Sequence, residues 1–386
     1  MQSFYAKSAV RSLVKHFDAV VVGCGAMGSS ISYNLAARGI RVLTLEKFNL
    51  NHEFGSSHGK TRIIRLAYFE DPRYVPLLRR AFESWRKLCA MSGKELLLMT
   101  GGLMIGPEDG TFVTRVVGSA REHSLPHKLL KSREVTEAYP AFRLEEGYST
   151  VYDENAGILI PEECISAYTE AARLSGCVFK FSEPVTCWRK TREGVEVETA
   201  KDRYTADKLV LSAGAWNGPL SGGTVPLTIE IQTMFWFSSG GNEVFAPGRM
   251  PIFIMEETQG HYFFGTPEVG DGVKVATNHD GEVVDPDRPR RMVTESDETP
   301  VREFVSRRFP KLNIRPLSSA TCLCSNTPDR NFVIDFLPRE KDVVIVSACS
   351  GHGFKFASVI GEIGADLVLE GRSHYDISFL RLERFV

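Results

Sequence analysis

Three stretches of the chain concentrate residue types that bind anions or move charge. Phe54-Gly-Ser-Ser-His-Gly-Lys-Thr-Arg-Ile-Ile-Arg65 places His58, Arg62 and Arg65 on or beside an apolar Ile63-Ile64 step. A solvated loop has no need of two isoleucines. These basic groups therefore belong to a partly buried site, where cations require anionic partners. Phosphate, cofactor carbonyls or a substrate carboxylate could supply them. Near the C-terminus, Ser350-Gly-His-Gly-Phe-Lys355 sits between an apolar run and a helical pattern. That order aims a helix N-terminus, with Lys355 beside it, at a ligand that carries or gains negative charge. Near the N-terminus, Gly23-Cys-Gly-Ala-Met-Gly28 is followed by Glu46, eighteen residues beyond Gly28. This is the dinucleotide fingerprint. Gly23 permits a tight turn, Gly25 lets the backbone approach a pyrophosphate, Gly28 lets helix and strand pack closely, and Glu46 accepts from a ribose.

Such groups need rigid elements behind them. Ala19–Val22 reads as a buried strand, Ser29 to Arg38 as a helix stopped by Gly39, and Val42–Leu45 as a second strand running into Glu46. Ala26 and Met27 at the helix start, and Lys47 after Glu46, join the expected cofactor contacts. The motif alone admits NAD, NADP or FAD. Apolar spacing predicts a helix from Tyr74 to Cys89 and another from Pro161 to about Leu174. Leu97 to Ile105 reads as a strand entering a different layer. Val178–Phe181, Val185–Arg189, Val195–Thr199 and Arg203–Ala206 read as short antiparallel strands. They lead to Lys208-Leu-Val-Leu-Ser-Ala-Gly-Ala-Trp216, where Ala213, Gly214 and Trp216, with Val185, offer a second dinucleotide contact. Aromatic strand patterns at 234–237, 252–254, 262–264 and 273–275 predict a sheet with one face toward a ligand. Val343–Ala348 is a buried strand of the parallel-sheet kind.

The expected architecture is a mixed α/β (α+β) fold. A Rossmann-like dinucleotide domain is expected from 17–100, 151–225 and 318–386, interrupted by a discontinuous antiparallel-sheet substrate domain at 101–150 and 226–317. Residues 1–16 form an N-terminal extension that carries Lys7, Arg11 and Lys15 without acidic residues, either a short targeting segment or a solvated tail. With 46 Lys and Arg against 48 Asp and Glu there is no basic surplus for nucleic acid, and no apolar run spans a bilayer. The eight cysteines follow no disulfide or metal spacing, which suits reduced thiols in a cytoplasmic protein.

Gly55-Ser-Ser-His-Gly-Lys-Thr-Arg-Ile-Ile-Arg65, Cys322-Leu-Cys-Ser-Asn-Thr-Pro-Asp329 and Ser350-Gly-His-Gly-Phe-Lys-Phe356, in that order, resemble the monomeric sarcosine oxidase and N-methyltryptophan oxidase family. Pipecolate oxidases fall in the same group, within the wider D-amino-acid-oxidase-like flavoprotein fold. The resemblance runs from about Phe17 to Phe385. It implies an FAD-dependent oxidase of secondary amino acids that makes an imine and hydrogen peroxide. It also implies a monomer whose only partners are a small amino acid and dioxygen, with no metal. By the resemblance, Cys322 matches the cysteine bonded to the flavin 8α-methyl group. Arg65 and Lys355 match the pair that grips the substrate carboxylate, with Tyr68 and Phe264 lining the substrate position. His58, Arg62 and Ser57 match residues packed near the flavin, together with Gly351, Gly353 and Phe354. Lys274 matches the lysine placed near flavin N5, where a cation stabilises the superoxide formed by the first electron transfer.

Three positions depart from the pattern. Asn278, with His279 beside it, stands where the family commonly has histidine, and Phe264 and Cys324 stand where tyrosines are usual. They remove imidazole and hydroxyl groups from the substrate pocket, which implies an amine larger or more apolar than sarcosine. The alternatives to an oxidase are a dehydrogenase of the same fold that uses another electron acceptor, and a non-catalytic FAD-binding relative.

Overall fold

The computed structural model of the protein describes residues 15–278, 281–290 and 292–385. Most of the expected N-terminal extension, and His279, lie outside the described residues. Lys15 and His16 already belong to the first strand, Lys15–Val22.

One eight-stranded sheet has five parallel strands in the order Val178–Lys180, Val42–Leu45, Lys15–Val22, Arg203–Leu211 and Glu340–Ser347. Val178–Lys180, expected to be antiparallel, pairs parallel with Val42–Leu45 at the sheet edge. Val185–Thr191 pairs antiparallel with Gly194–Thr199, which pairs antiparallel with the start of Arg203–Leu211 as expected, and Val333–Leu337 pairs antiparallel with Glu340–Ser347. Both faces are covered. Ala19 and Val21 point into the core under the helices Ala26–Ala36, Val75–Ser92, Pro161–Leu174 and Ala357–Glu370, while Val20 and Val22 join the opposite core. Burial on both faces is what the unbroken apolar run of the first strand requires. Strand order reverses direction beside Lys15–Val22, and the crevice at the carboxyl ends of such strands is where α/β sheets bind ligands.

A second eight-stranded sheet runs Pro316–Asn326, Thr228–Phe237, Val273–Asn278, His261–Thr266, Ile252–Thr258, Gly102–Pro107, Tyr148–Asp153 and Lys128–Lys131. It is antiparallel except where Ile252–Thr258 meets Gly102–Pro107. One face packs on the helix Glu295–Arg308, where Phe304 stacks on Phe263 with ring centroids 4.0 Å apart. The other face turns toward the first sheet. Two expected domain boundaries, 150/151 and 317/318, fall inside strands of this sheet. A small sheet of Arg62–Ile64, Gly157–Leu159 and Leu97–Met99 lies between the two large ones and carries Arg62 into the space they enclose. No helix among the described residues is long and apolar enough to cross a membrane.

Candidate active site

Three strand-to-turn junctions open into one cavity. At the first, Gly23 adopts φ +97°, and a Cβ on Gly28 would lie 1.8 Å from the Gly23 carbonyl oxygen, so only glycine fits this approach. The helix Ala26–Ala36 starts without a side-chain cap or an acidic residue in its first turn, leaving its positive end to the cavity. The Ala26 N–H donates to Ser57 Oγ at 3.2 Å. Glu46 is buried and accepts from the Cys24 and Phe48 N–H groups at 2.7 and 2.9 Å, with His52 Nε2 at 3.4 Å. At the second junction, after Leu211, Ala213, Gly214 and Trp216 line the cavity together with Val185. Lys47 lies 4.5 Å from the Trp216 ring, and both Lys47 Nζ and Trp216 Nε1 donate to Asp287. At the third, Gly351, Gly353, Phe354 and Lys355 line the wall. A Cβ on Gly353 would meet the Ala348 carbonyl oxygen at 1.8 Å.

Between the sheets lies a cluster of buried charge. Arg65 is 1% exposed and forms two hydrogen bonds to Glu70, at 2.7 and 2.6 Å, while its Nε has no hydrogen-bond partner. Burial works to raise Glu70, but Arg65 foremost, with Lys355, holds it below the usual glutamate value. Arg65 Cζ and Lys355 Nζ lie 4.4 and 5.4 Å from the Tyr68 ring, so both cations rest on one aromatic surface. Lys355 Nζ donates to the His352 carbonyl at 2.6 Å, and burial holds its pKa down to about 7 against the pull of Glu70. His352 Nε2 contacts the Arg330 carbonyl at 3.0 Å, which makes it the donor, so Nδ1 accepts from the Tyr68 hydroxyl at 2.6 Å. Burial lowers His352 to about 4, keeping the ring neutral.

The cavity thus gathers Gly23, Gly25, Ala26, Met27, Glu46, Lys47, Ser57, Arg62, Arg65, Phe264 and Cys322 with the residues of the second and third junctions. Gly28, His58, Tyr68 and Lys274 do not line it. Gly28 packs behind the turn, and His58 and Tyr68 are buried. Lys274 lies behind the Gly59–Thr61 backbone, donating to the Gly59 and Thr61 carbonyls at 2.9 Å each. Burial, with Arg62 nearby, pushes Lys274 well below the ordinary lysine value. Arg62 donates to the Ser56 and Thr61 carbonyls and lies 3.8 Å from Met234 Sδ. Cys322 and Cys324 both line the cavity, as alternation along Pro316–Asn326 allows, with Gln232 opposite Cys322. Glu70, His352 and Cys349 were not singled out from the sequence. Glu70 had a signal, since a buried arginine needs an anion and a carboxylate stands five residues on.

Glycine turns at the switch point, a buried acid behind the first of them, and Arg65 with Lys355 along the same cavity suit an extended dinucleotide and an anionic substrate. This combination defines a dinucleotide-dependent oxidoreductase. The FAD dependent oxidoreductase family matches residues 18–367, and the chain belongs to that family. The monomeric sarcosine oxidase of Streptomyces avermitilis is 41% identical over 368 residues, covering 94% of this chain and 96% of the relative. The N-methyl-L-tryptophan oxidase of Yersinia pestis is 33% identical, covering 96% of this chain and 99% of its own. Among solved structures, NikD, described as an unusual amino acid oxidase, superposes with a TM-score of 0.85 at 23% identity, covering 95% and 97%. The L-proline dehydrogenase of P. horikoshii gives 0.84 at 21%, covering 97% and 98%. These two likenesses establish the fold.

Proposed function

We propose that the protein is an FAD-dependent oxidase of a secondary α-amino acid, N-methylated or cyclic, and that it works as a monomer. The product is an imine that hydrolyses in water, and dioxygen is reduced to hydrogen peroxide. The observation that carries this reading is the pair of cations, Arg65 and Lys355, on the Tyr68 ring in the cavity that also contains the glycine turns. Two cations fix a carboxylate in position and orientation, and the bidentate geometry of arginine suits that anion. Arg65 is held by Glu70, so an incoming carboxylate would exchange one anionic partner for another.

FAD, when bound, would supply a two-electron acceptor, taking one hydride equivalent (one proton with two electrons) from the carbon next to the amine nitrogen and passing the two electrons on to dioxygen. Gly23, Gly25, Glu46 and the helix Ala26–Ala36 would hold its ADP half, and the turn Gly351–Lys355 its ring end. Cys322 is the proposed covalent attachment, since its strand delivers the sulfur to the cavity. Lys274 is the proposed cation for dioxygen activation. Negative charge developing near Gly59–Thr61 would draw a proton back onto its depressed amine. No residue need act as a strong base, because the cationic pocket favours the amine as free base. Phe264, Met234, Ile254 and Tyr262 give the substrate side an apolar wall, which favours an amine larger than sarcosine.

Anaerobic mixing of the purified holoenzyme with a panel of N-methyl and cyclic amino acids tests this. Bleaching of the flavin absorbance is expected, then recovery and peroxide release on admitting air, with the flavin staying in the pellet on acid precipitation. Lys274→Met should slow the recovery far more than the bleaching. A flavin that no secondary amino acid bleaches sinks the oxidase reading, and free FAD in the acid supernatant sinks the Cys322 link.

A further inference from the structure

We propose that Cys324 and Cys349 are a peroxide-responsive dithiol in the cavity wall, Cys349 being the thiol attacked and Cys324 the one that resolves it as a disulfide. The two sulfurs lie 3.8 Å apart and both line the cavity. The segments that carry them are already tied together, since the Ser350 N–H donates to the Ser325 carbonyl at 2.9 Å. Closing a sulfur–sulfur bond asks the two side chains to draw together from 3.8 Å to roughly 2 Å between segments that are already hydrogen-bonded.

The local chemistry separates the roles. Cys349 is half-buried and Cys324 is buried, so peroxide in the cavity reaches Cys349 first, and the contact with Cys324 and backbone hydrogen bonds at Gly351 and Ser325 lower its thiol pKa against burial. Cys324 is pushed well above the usual thiol value by Cys349 and by burial, so it keeps its proton. The buried Cys177 goes the opposite way from Cys349, up to about 11 through desolvation. Reactivity toward peroxide follows access as well as thiolate character, and Cys349 is the more accessible sulfur of the two.

The steps balance. The Cys349 thiolate attacks one oxygen of hydrogen peroxide, breaking the O–O bond to give a sulfenic acid and hydroxide. The Cys324 thiol then displaces the sulfenic hydroxyl as water and forms the disulfide. Peroxide is reduced by two electrons and the two thiols are oxidised by two. The source of peroxide in use rests on the proposed oxidase reaction, but the chemistry does not, because added peroxide serves equally. The resolving thiol stops oxidation at a stage that dithiols reverse, before the irreversible sulfinic acid.

The test treats the purified holoenzyme with hydrogen peroxide, alkylates the remaining thiols and maps the peptides by mass spectrometry, without substrate. Expected is a linked pair of peptides containing Cys324 and Cys349, lighter by two hydrogens, that reverts on reduction with dithiothreitol. Cys324→Ala should instead gain two oxygens on Cys349, irreversibly, while Cys349→Ala should leave Cys324 fully alkylatable. The proposal is overturned if both thiols of the parent stay alkylatable, if Cys349 reaches the sulfinic acid with Cys324 in place, or if either joins a different cysteine. None of these outcomes depends on turnover, so a failed substrate screen would leave this result readable.

Discussion

A buried lysine keeps its proton only where anions hold it, and among the described residues the carboxylate that acts on Lys355 is Glu70. Burial is the largest influence and lowers its pKa to about 7, Glu70 opposes this, and Arg65 and Arg62 push it further down. The folded value thus lies below the ordinary 10.5, and Lys355 gives up its charge as pH rises through about 7. The proposed carboxylate binding depends on the ammonium. Lys355→Met should raise KM for the carboxylate substrate about tenfold or more below neutrality, roughly 1.4 kcal/mol of binding. The ratio of variant to parent KM should then shrink as pH rises above about 7, because the parent loses the same charge the variant lacks. Using the ratio removes the separate effect of the substrate's own amine, which titrates identically for both proteins. A ratio that stays constant from about pH 6 to about pH 9 would show that the Lys355 charge does not bind substrate.

At the scale of the element, the first glycine turn is set by contact rather than by flexibility. A Cβ at Gly28 would overlap the Gly23 carbonyl at 1.8 Å and meet Ser212 Oγ at 2.8 Å. Neither turn nor strand can yield without moving the helix Ala26–Ala36, so Gly28→Ala should cost about 1–3 kcal/mol in urea unfolding and lower the flavin-to-protein absorbance ratio. Gly118, in the middle of the helix Thr111–Glu122, has open space where its Cβ would be. Gly118→Ala should leave stability unchanged or raise it by roughly 0.5–1 kcal/mol. Equal effects at the two positions would refute the contact argument. The ends of several elements were legible in the sequence for similarly local reasons. Pro161 at the first helical position starts the helix Pro161–Leu174, and the apolar run Val42–Leu45 is bounded by Arg41 and Glu46. Non-local choices were not legible. The three residues Val178–Lys180 carry no pattern that separates parallel from antiparallel pairing, and their partner strand lies more than a hundred residues earlier. The Cys324–Cys349 contact depends in the same way on a strand and a turn brought together by tertiary packing. The orientation of Lys274, toward the Gly59 and Thr61 carbonyls rather than the cavity, is set by the loop folded over it.

In the whole molecule the two large sheets are interleaved along the chain rather than joined end to end. The path leaves the parallel sheet before Gly102–Pro107, returns after Tyr148–Asp153, leaves again after Arg203–Leu211 and returns after Pro316–Asn326. Asp153, 1% exposed at the end of an antiparallel strand, accepts from the Leu66 and Ala67 N–H groups at 3.0 and 2.9 Å and so fixes the backbone just after Arg65. Opening either sheet therefore breaks the cavity and releases these buried polar groups without partners, which costs about 1–3 kcal/mol for each. The holoenzyme should then unfold in urea as one cooperative unit. Flavin fluorescence reports on the cavity, far-ultraviolet circular dichroism on both sheets, and Trp85 and Trp236 stand in the helical layer and the antiparallel sheet respectively. Their midpoints should coincide. An antiparallel sheet that melts at lower urea while the flavin signal holds would mean that the crossings do not couple the halves, and that Arg65 keeps its place without the strand that carries Asp153.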